Sequence, residues 1–259
     1  MLLCLDIGNT HIHAGVFLED EEPCLQFRYP SAGPLTSDVF GLFIAGVLRE
    51  HRLDPRSIQA VSMSSVVPAI DYTIKSACKK YFDLMPLEIK PGVKTGLNIR
   101  VKQPAKVGSD RIATATAAVE RYPGRDIVVI DFGTATTVCA ISKCKDYLGG
   151  AILPGMQTSQ QALCSAAAQL MPVSIVKPDS ALGLTTESNI QSGLYYGQLG
   201  GVRCIIDAYQ KNIFAGKKPY VVATGGYAYL FEDEFLYDVV DPYMVLRGLK
   251  YIWAKNGGY

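Results

Sequence analysis

The sequence lacks several features that mark large functional classes. It has one tryptophan and three histidines, and its 25 basic and 24 acidic residues leave a formal net charge of +1. A chain with this balance has no general attraction for nucleic acid, and it contains no basic tract interleaved with aromatic residues. We therefore expect no nucleic-acid partner.

Long apolar runs are also missing. The most apolar stretch, Val39 to Leu48, has about ten residues, whereas roughly 20 are needed to cross a bilayer. The N-terminus has no basic segment, and its apolar residues are interrupted at Asp6, so it does not have the form of a signal peptide. These absences predict a cytoplasmic protein with no membrane partner.

The seven cysteines and three histidines form no recognisable metal or disulfide pattern. No cysteines are spaced as Cys-x-x-Cys, and no histidine lies near Cys139 and Cys144 to complete a zinc site. His11 and His13 would share one face of a strand, but a third ligand is missing. We interpret the cysteines as small hydrophobic residues in a reducing compartment.

Hydrophobic residues make up 49% of the chain, which is enough to form a large core, and strand and helix patterns alternate along it. Apolar runs predict strands at 2–5, 11–17, 24–29, 60–67, 87–90, 127–130, 136–141, 151–153 and 221–223. Helical spacing predicts helices at 37–51, 72–81, 109–120, 156–170, 188–214 and 243–254.

The start of the chain is repeated in its second half. Leu2 to Thr10 and Ile127 to Thr137 both read as four apolar residues, Asp, an apolar residue, Gly, a small polar turn and a β-branched strand. The repeat predicts two similarly built halves, 1–122 and 123–259, each opening with a strand–turn–strand hairpin. The alternative is coincidence, because Asp-x-Gly turns are common after buried strands.

Each turn combines groups that suit a phosphate and its metal ion. The carboxylates of Asp6 and Asp131 can hold a hydrated cation, glycine lets the backbone approach a phosphate, and Thr, Asn and turn N–H groups can donate to its oxygens. The sequence has neither a Walker lysine loop nor a Gly-x-Gly-x-x-Gly after a strand, which disfavours P-loop and dinucleotide sites. Two such turns facing one another would hold a nucleotide and Mg²⁺ from both sides.

Two glycine-rich segments of the second half are further candidates. Thr224-Gly225-Gly226 ends a late strand and suits an adenine or ribose site, although it equally fits an ordinary strand-to-helix turn. Gly149 to Gly155 is a glycine-flanked strand that leads into a helix.

The catalytic candidate lies at the start of the alanine-rich helix. Gly108 and Ser109 open this helix, so Asp110 and Arg111 lie in its first turn, where the helix dipole and the guanidinium favour an ionised carboxylate. Such a carboxylate can accept a hydroxyl proton late in phosphoryl transfer, and Arg111 can clamp a substrate carboxylate. The same residues also fit a simple charge cap with a surface ion pair.

Taken in order along nearly the whole chain, these motifs resemble those of the type III pantothenate kinases. The resemblance implies the acetate-and-sugar-kinase/Hsp70/actin fold, an α/β structure with two ribonuclease-H-like halves, mixed sheets flanked by helices, and a cleft between the halves. It also implies a homodimeric kinase that uses ATP to convert pantothenate to 4′-phosphopantothenate, the first step of coenzyme A biosynthesis. The matching motifs are Asp6-Ile7-Gly8-Asn9-Thr10, Gly108-Ser109-Asp110-Arg111, Asp131-Phe132-Gly133-Thr134-Ala135-Thr136-Thr137, Gly149-Gly150 with Pro154-Gly155, and Thr224-Gly225-Gly226.

The resemblance also assigns roles to single residues. It makes Asp110 the proton acceptor, Asp131 the ligand of a monovalent cation (K⁺ or NH₄⁺), Thr134 an ATP contact, and Asp6 a neighbour of Mg²⁺. The family's ATP phosphate loop falls on Asp6, Ile7, Gly8, Asn9, Thr10, His11, Ile12 and His13. Its pantothenate contacts fall on Gly108, Ser109, Asp110, Arg111 and Thr186.

The sequence departs from the family pattern at two positions. Val101 stands where a tyrosine that contacts pantothenate is common, and Thr185 stands where the family has Asn before Thr186. These departures concern the pantothenate pocket rather than the reaction.

Two alternative functions stay open. One is a related kinase acting on another sugar or polyol. The other is a non-catalytic accessory factor to a transcriptional regulator, although the presence of Asp110 and Asp131 argues against it.

Overall fold

The computed structural model describes residues 1–258, which form two compact units. Unit 1 comprises residues 1–97, 102–121 and 243–258, and unit 2 comprises residues 98–101 and 122–242. The domain limits 1–122 and 123–259 stay a prediction. The strands are β1 (Leu2–Ile7), β2 (His11–Phe17), β3 (Leu25–Pro30), β4 (Ala60–Ser65), β5 (Leu87–Glu88), β6 (Asn98–Ile99), β7 (Ile127–Phe132), β8 (Ala135–Ile141), β9 (Asp146–Pro154), β10 (Tyr220–Thr224) and β11 (Val239–Val240). The helices are α1 (Ser37–Glu50), α2 (Pro68–Phe82), α3 (Ser109–Arg121), α4 (Met156–Ala166), α5 (Thr186–Asn212) and α6 (Met244–Lys255), with three short 3₁₀ helices at Pro55–Ser57, Pro104–Lys106 and Ala228–Glu234.

Unit 1 is built on a five-stranded mixed sheet in the order β3-β2-β1-β4-β5. The first three strands are antiparallel, and β4 and β5 continue the sheet in parallel on the other side of β1. The central strand β1 is apolar on both faces because both faces are covered. On one face, Leu3 and Leu5 pack with Phe40 of α1 and Ile74 of α2. The other face is covered by α3 and α6, where Leu2 and Cys4 pack with Ala113, Leu246 and Leu249.

Unit 2 repeats this strand order and adds one strand. Its sheet runs β11-β10-β7-β8-β9-β6, so β7 occupies the place that β1 has in unit 1. β7, β8 and β9 are antiparallel to one another. β10 pairs in parallel with β7 and with β11, and at the other edge β6 pairs in parallel with β9. A core that includes Val128, Ile130 and Phe132 packs against Tyr195 and Leu199 of α5.

The structure confirms the internal repeat in detail. β1 and β7 each have six residues, and in each strand the fifth residue, the Asp, is the one that is not buried. β2 and β8 each have seven residues, with four consecutive buried residues at the end. The second turn is one residue shorter, because Asp6 lies opposite His13 whereas Asp131 lies opposite Thr137. Together with the matched strand orders, this confirms the predicted mixed-sheet α/β architecture.

Some predicted limits were wrong for identifiable reasons. α2 begins at Pro68 rather than at residue 72, because proline at the first helical position has the required φ and needs no hydrogen bond from its nitrogen. The helix predicted to reach residue 170 ends at Ala166, and Leu170 packs against the unit 2 core from a loop. The strand predicted at 151–153 extends over the whole of β9.

The interpretation of the cysteines was only partly right. All seven are free thiols, and Cys4, Cys78 and Cys139 are buried. Burial raises the pKa of Cys78 to about 12, so this thiol stays protonated and inert. The remaining cysteines, 24, 144, 164 and 204, are exposed or half-buried, because they lie in loops and on outer helix faces.

Among residues 1–258 no helix combines the length and the apolar character that a membrane span requires.

Candidate functional site

The first predicted phosphate-binding turn lies at the carboxyl end of β1. After Asp6 and Ile7 the chain turns through Gly8, Asn9 and Thr10 into β2, and the Gly8 N–H donates to the His11 carbonyl at 3.1 Å. Asn9 and Thr10 are exposed, and Asp6 and Gly8 are half-buried. The turn therefore offers its polar side chains to solvent while the strands beside it are buried.

The carboxylate of Asp6 is oriented by a buried hydroxyl. Ser64 lies directly opposite Asp6 in the parallel pairing of β1 with β4, and its Oγ donates to Asp6 Oδ1 at 2.6 Å. Ser64 is completely buried. Hydrogen bonds to a charged acceptor are among the stronger ones in proteins, so this contact restricts the rotamer of Asp6.

The other residues of the predicted phosphate loop differ in what they can contribute. Ile7 and Ile12 are buried in the unit 1 core, so their side chains do not reach a ligand, and the Ile7 carbonyl already accepts from the Val66 N–H at 3.0 Å. His11 is exposed, and His13 is half-buried with its Nε2 3.2 Å from Gln26 Oε1. Burial lowers the pKa of His13 from its usual 6.5 to about 4, so its ring is neutral at pH 7.

The start of α3 is attached to the strand next to β1. Ser109 Oγ donates to the Ser65 carbonyl and accepts from the Ser65 N–H, both at 2.9 Å. Ser65 is the last residue of β4 and lies opposite Ile7. The first turn of α3, which carries Asp110, is thereby held at the same sheet edge as the turn that follows Asp6.

Asp110 itself is half-buried, as is Arg111. Its Oδ1 accepts from the Arg111 N–H at 2.8 Å, which satisfies one of the free donors of the helix start. A Cβ at Gly108 would overlap the Asp110 carboxylate, so the glycine leaves the space that this side chain occupies. The local geometry contains the charge cap that the sequence suggested, and it also leaves Asp110 accessible.

The second turn lies at the carboxyl end of β7 and gathers the motifs of unit 2. Asp131 lies opposite Thr137 on β8 and Thr224 on β10. Gly225 follows with φ +91°, and a Cβ on it would lie 2.5 Å from Asp131 Oδ1. A glycine is required here both for the left-handed backbone and for the close approach to the carboxylate.

The glycine-flanked strand β9 also ends at this second turn. The Thr134 carbonyl accepts from the Gly155 N–H at 3.1 Å and from Thr158 Oγ1 at 2.7 Å. The Thr134 side chain is exposed. Three segments that the sequence marked separately, at 131–134, 149–155 and 224–226, therefore meet within unit 2.

The remaining predicted pantothenate contacts, Thr186 and Val101, lie in unit 2. Thr185 caps α5 by accepting from the Ser188 N–H at 3.1 Å, and Thr186 is the exposed first residue of that helix. Val101 is half-buried beside Gly149 of β9. Both belong to unit 2, whereas Gly108 to Arg111 belong to unit 1.

Sequence reasoning missed Ser64 and Ser65. The available signal was the alternation of Ser62 and Ser64 in an otherwise apolar buried strand, since a buried hydroxyl normally has a specific hydrogen-bond partner. Among residues 1–258 there is no cluster of three or more His, Cys, Asp or Glu side chains that could hold a metal ion.

Solved structures share the fold at low sequence identity. A Campylobacter jejuni protein assigned as a Baf family transcriptional activator superposes with a TM-score of 0.59 at 22% identity, covering 98% of both chains. A Sinorhizobium meliloti protein assigned as a 2-dehydro-3-deoxygalactonokinase gives a TM-score of 0.60 at 12% identity, covering 97% of this chain and 95% of the other. These likenesses agree with the predicted fold class.

Sequence relatives are much closer. The family model for type III pantothenate kinase matches residues 2–208. Type III pantothenate kinase 1 of Francisella tularensis subsp. holarctica (strain OSU18) is 50% identical over 256 residues, which cover 99% of this chain and 100% of the relative. The type III pantothenate kinase of Legionella pneumophila (strain Corby) is 48% identical over 256 residues and 99% of both chains. This chain, whose turns, helix start and fold carry the family's motifs in order, belongs to the type III pantothenate kinase family.

Proposed function

We propose that this protein transfers the γ-phosphoryl group of ATP to pantothenate, giving ADP and 4′-phosphopantothenate in the first step of coenzyme A biosynthesis. Family membership over nearly the whole chain supports this activity. The structural observation that carries it is the bond between Ser109 and Ser65, which holds Asp110 at the sheet edge where β1 ends just after Asp6.

Asp110 is the proposed general base. The primary hydroxyl oxygen of pantothenate bonds to the γ-phosphorus, the bond from that phosphorus to the β,γ-bridging oxygen breaks, and the hydroxyl proton moves to Asp110. ADP leaves with the bond electrons. Asp110 lies in the first turn of α3 and is half-buried, so its carboxylate remains accessible to the hydroxyl of the acceptor.

Arg111, next to Asp110, is the proposed partner of the pantothenate carboxylate, because a guanidinium binds a carboxylate in a bidentate manner. Gly108, Thr186 and the backbone of Ser109, whose hydroxyl is bonded to Ser65, are the other proposed pantothenate contacts. Val101 would provide an apolar contact where a tyrosine is common in the family.

The turn after Asp6 is the proposed site for the ATP phosphates and Mg²⁺. Mg²⁺ in nucleotide sites is usually held by one or two carboxylates together with substrate phosphates, rather than by a cage of protein ligands. A single half-buried carboxylate beside an exposed Asn-Thr turn fits that arrangement. When bound, Mg²⁺ would neutralise charge on the phosphate oxygens.

In unit 2, Asp131 is the proposed ligand of K⁺ or NH₄⁺, and Thr134 is a proposed ATP contact. The Asp131 carboxylate lies against Gly225 and opposite Thr224, and a carboxylate oxygen suits a hard cation. We further propose that the enzyme acts as a homodimer in the cytoplasm.

Replacing the proposed base tests the activity. Asp110→Asn is expected to fold normally and to lose roughly 10²–10⁴ in kcat, the usual contribution of a positioned general base. The measurement is ADP release from purified protein with ATP and Mg²⁺, with and without pantothenate. Asp38→Asn is the matched control, because Asp38 also lies in the first turn of a unit 1 helix but binds Lys80 and Tyr81 on the surface.

The outcomes separate the alternatives. Wild-type turnover of another sugar or polyol but not pantothenate would indicate a related kinase, and no turnover with any acceptor would favour an accessory role. Wild-type kcat in Asp110→Asn would show that the base has been misassigned.

Exchange of the monovalent cation tests the role of Asp131. At constant ionic strength, the rate with pantothenate is expected to be higher in KCl or NH₄Cl than in NaCl, and Asp131→Asn should remove this difference. Equal wild-type rates in the three salts would contradict the proposed cation site.

A further inference from the structure

Three serines of β4, here called the β4 serines, each bind a different part of unit 1. Ser62 Oγ donates to the Leu249 carbonyl of α6 at 3.0 Å. Ser64 Oγ donates to Asp6 Oδ1 at 2.6 Å, and the backbone of Ser65 binds both ways to Ser109 Oγ. The strand β4 thus contacts α6, the carboxylate of Asp6 that is proposed to lie near Mg²⁺, and α3, which carries the proposed base.

Burial makes the Ser64 contact specific. Ser62 and Ser64 are both completely buried. A hydroxyl at such a position normally remains because it has a defined partner, and the partner of Ser64 is an acidic side chain rather than backbone. Ser64 therefore sets the direction of the Asp6 carboxylate, and because it is completely buried it would not itself contact a bound ligand.

The Ser109 hydroxyl is engaged in a comparable way. It donates to the Ser65 carbonyl and accepts from the Ser65 N–H, so its hydrogen is committed to the strand. Its effect on Asp110, the next residue, is to fix where the first turn of α3 begins.

We infer that Ser64 and Ser109 are positioning residues that orient two carboxylates independently. Ser64 sets Asp6 for Mg²⁺-bound nucleotide, and Ser109 sets Asp110 for the hydroxyl of the acceptor. This inference rests on the proposed function. It predicts that Ser64→Ala alters the Mg²⁺ dependence of nucleotide binding and that Ser109→Ala alters kcat. General loosening of unit 1 would alter both quantities together.

The first arm of the test needs no turnover. Calorimetric titration of a non-hydrolysable ATP analogue at several Mg²⁺ concentrations gives the Mg²⁺ dependence of nucleotide binding. Ser64→Ala is expected to raise the Mg²⁺ concentration for half-maximal binding about 10–100-fold, the usual effect of removing a partner of a metal-side ligand. The KM for pantothenate at saturating Mg²⁺ should stay at the wild-type value.

The second arm uses steady-state kinetics. Ser109→Ala is expected to lower kcat by about tenfold or more, since small displacements of a catalytic group are costly, while its Mg²⁺ dependence of analogue binding stays that of wild type. Ser62→Ala is the matched control, because it removes an equally buried hydroxyl from the same strand without touching either carboxylate. It should change neither quantity.

A double-mutant cycle shows whether Ser64 acts through Asp6. In an Asp6→Asn background, adding Ser64→Ala should cause little further loss of Mg²⁺-dependent binding, because the bond it removes no longer reaches a carboxylate. If Ser64→Ala does not fold, Ser64→Cys keeps the size and a weak donor, and should give an intermediate shift.

Unchanged Mg²⁺ dependence in Ser64→Ala, equal shifts in Ser62→Ala and Ser64→Ala, or full additivity in the cycle would each overturn the inference. Failure of the proposed function is a separate result, because it would be seen as a wild-type protein that releases no ADP with pantothenate.

Discussion

At the scale of single residues, the sheet register decides what surrounds each turn carboxylate. Asp6 has a serine hydroxyl on its parallel side and His13 on its antiparallel side, whereas Asp131 has threonines on both sides. The two halves repeat the carboxylate but not its surroundings. The imidazole of His13 is therefore the feature that distinguishes the first turn, and its titration is measurable.

His13 should make the protein less stable as the pH falls. Its pKa is about 4 when folded, against 6.5 for an unperturbed histidine, because burial disfavours the charged ring. Between pH 6.5 and 4 the unfolded chain binds this proton and the folded protein does not, so stability is complete above pH 6.5 and declines with acidification. By pH 5 the loss should be roughly 1–2 kcal/mol after allowance for partial exposure.

The measurement is guanidinium unfolding of wild type and His13→Asn at pH 7.5 and pH 5.0. All other groups that titrate between pH 7.5 and 5.0 are the same in both proteins, so His13→Asn should lose less stability than wild type over this interval. Identical losses in both proteins would mean that His13 titrates with an ordinary pKa.

At the scale of elements, the position of Asp110 depends on the packing of α3 against α6. α3 is rich in alanine and almost entirely buried along its length. Gly248 of α6 lies against the backbone of Ala113, so that a Cβ on Gly248 would overlap the Ala113 carbonyl. Small residues allow the two helices to approach closely, and the separation they set determines where α3 lies beside α6 on the sheet.

Gly248→Ala should therefore be destabilising although alanine is the better helix former. Overpacking typically costs about 1–3 kcal/mol, which exceeds the gain of roughly 0.5–1 kcal/mol from helix propensity. Gly46→Ala on α1 is the control, since nothing lies within 4 Å of its Cβ position and it should be slightly stabilising. Unfolding midpoints of both variants check this, and a stabilised Gly248→Ala would contradict the close helix contact.

At the scale of the whole molecule, unit 1 is completed by the far end of the chain. Residues 243–258 belong with residues 1–97 and 102–121, and α6 buries Leu246 and Leu249 against Leu2 and Cys4 of β1. Arg247 Nη2 binds Glu22 Oε1 at 3.1 Å, and Lys250 binds the backbone carbonyls of Glu19 and Asp20. Unit 2 is formed mainly by the continuous segment 122–242 and has its own core.

A chain ending at Pro242 should consequently lose unit 1 and keep unit 2. Without α6, one face of the unit 1 sheet is exposed, and local opening makes its backbone accessible to protease. Limited proteolysis with mass spectrometry should show protection of segment 122–242 and digestion of 1–97. A chain ending at Asn256 is the control and should be protected throughout. Equal protection in both chains would show that α6 is dispensable for the unit 1 core.

The sequence by itself determined the local elements and most of the candidate site. Apolar periods of two and 3.6 residues located the strands and helices, and the repeated Asp-x-Gly turns located both carboxylates at strand ends, because these signals arise between residues close in the chain. Only the tertiary structure decided that Ser64 binds Asp6 across 58 positions and Ser109 binds Ser65 across 44. Tertiary structure likewise decided that Gly225 lies against Asp131 and that α6 packs beside β1. Such contacts follow from strand pairing and layer packing between distant segments, and no local periodicity specifies which distant residue lies opposite a given side chain.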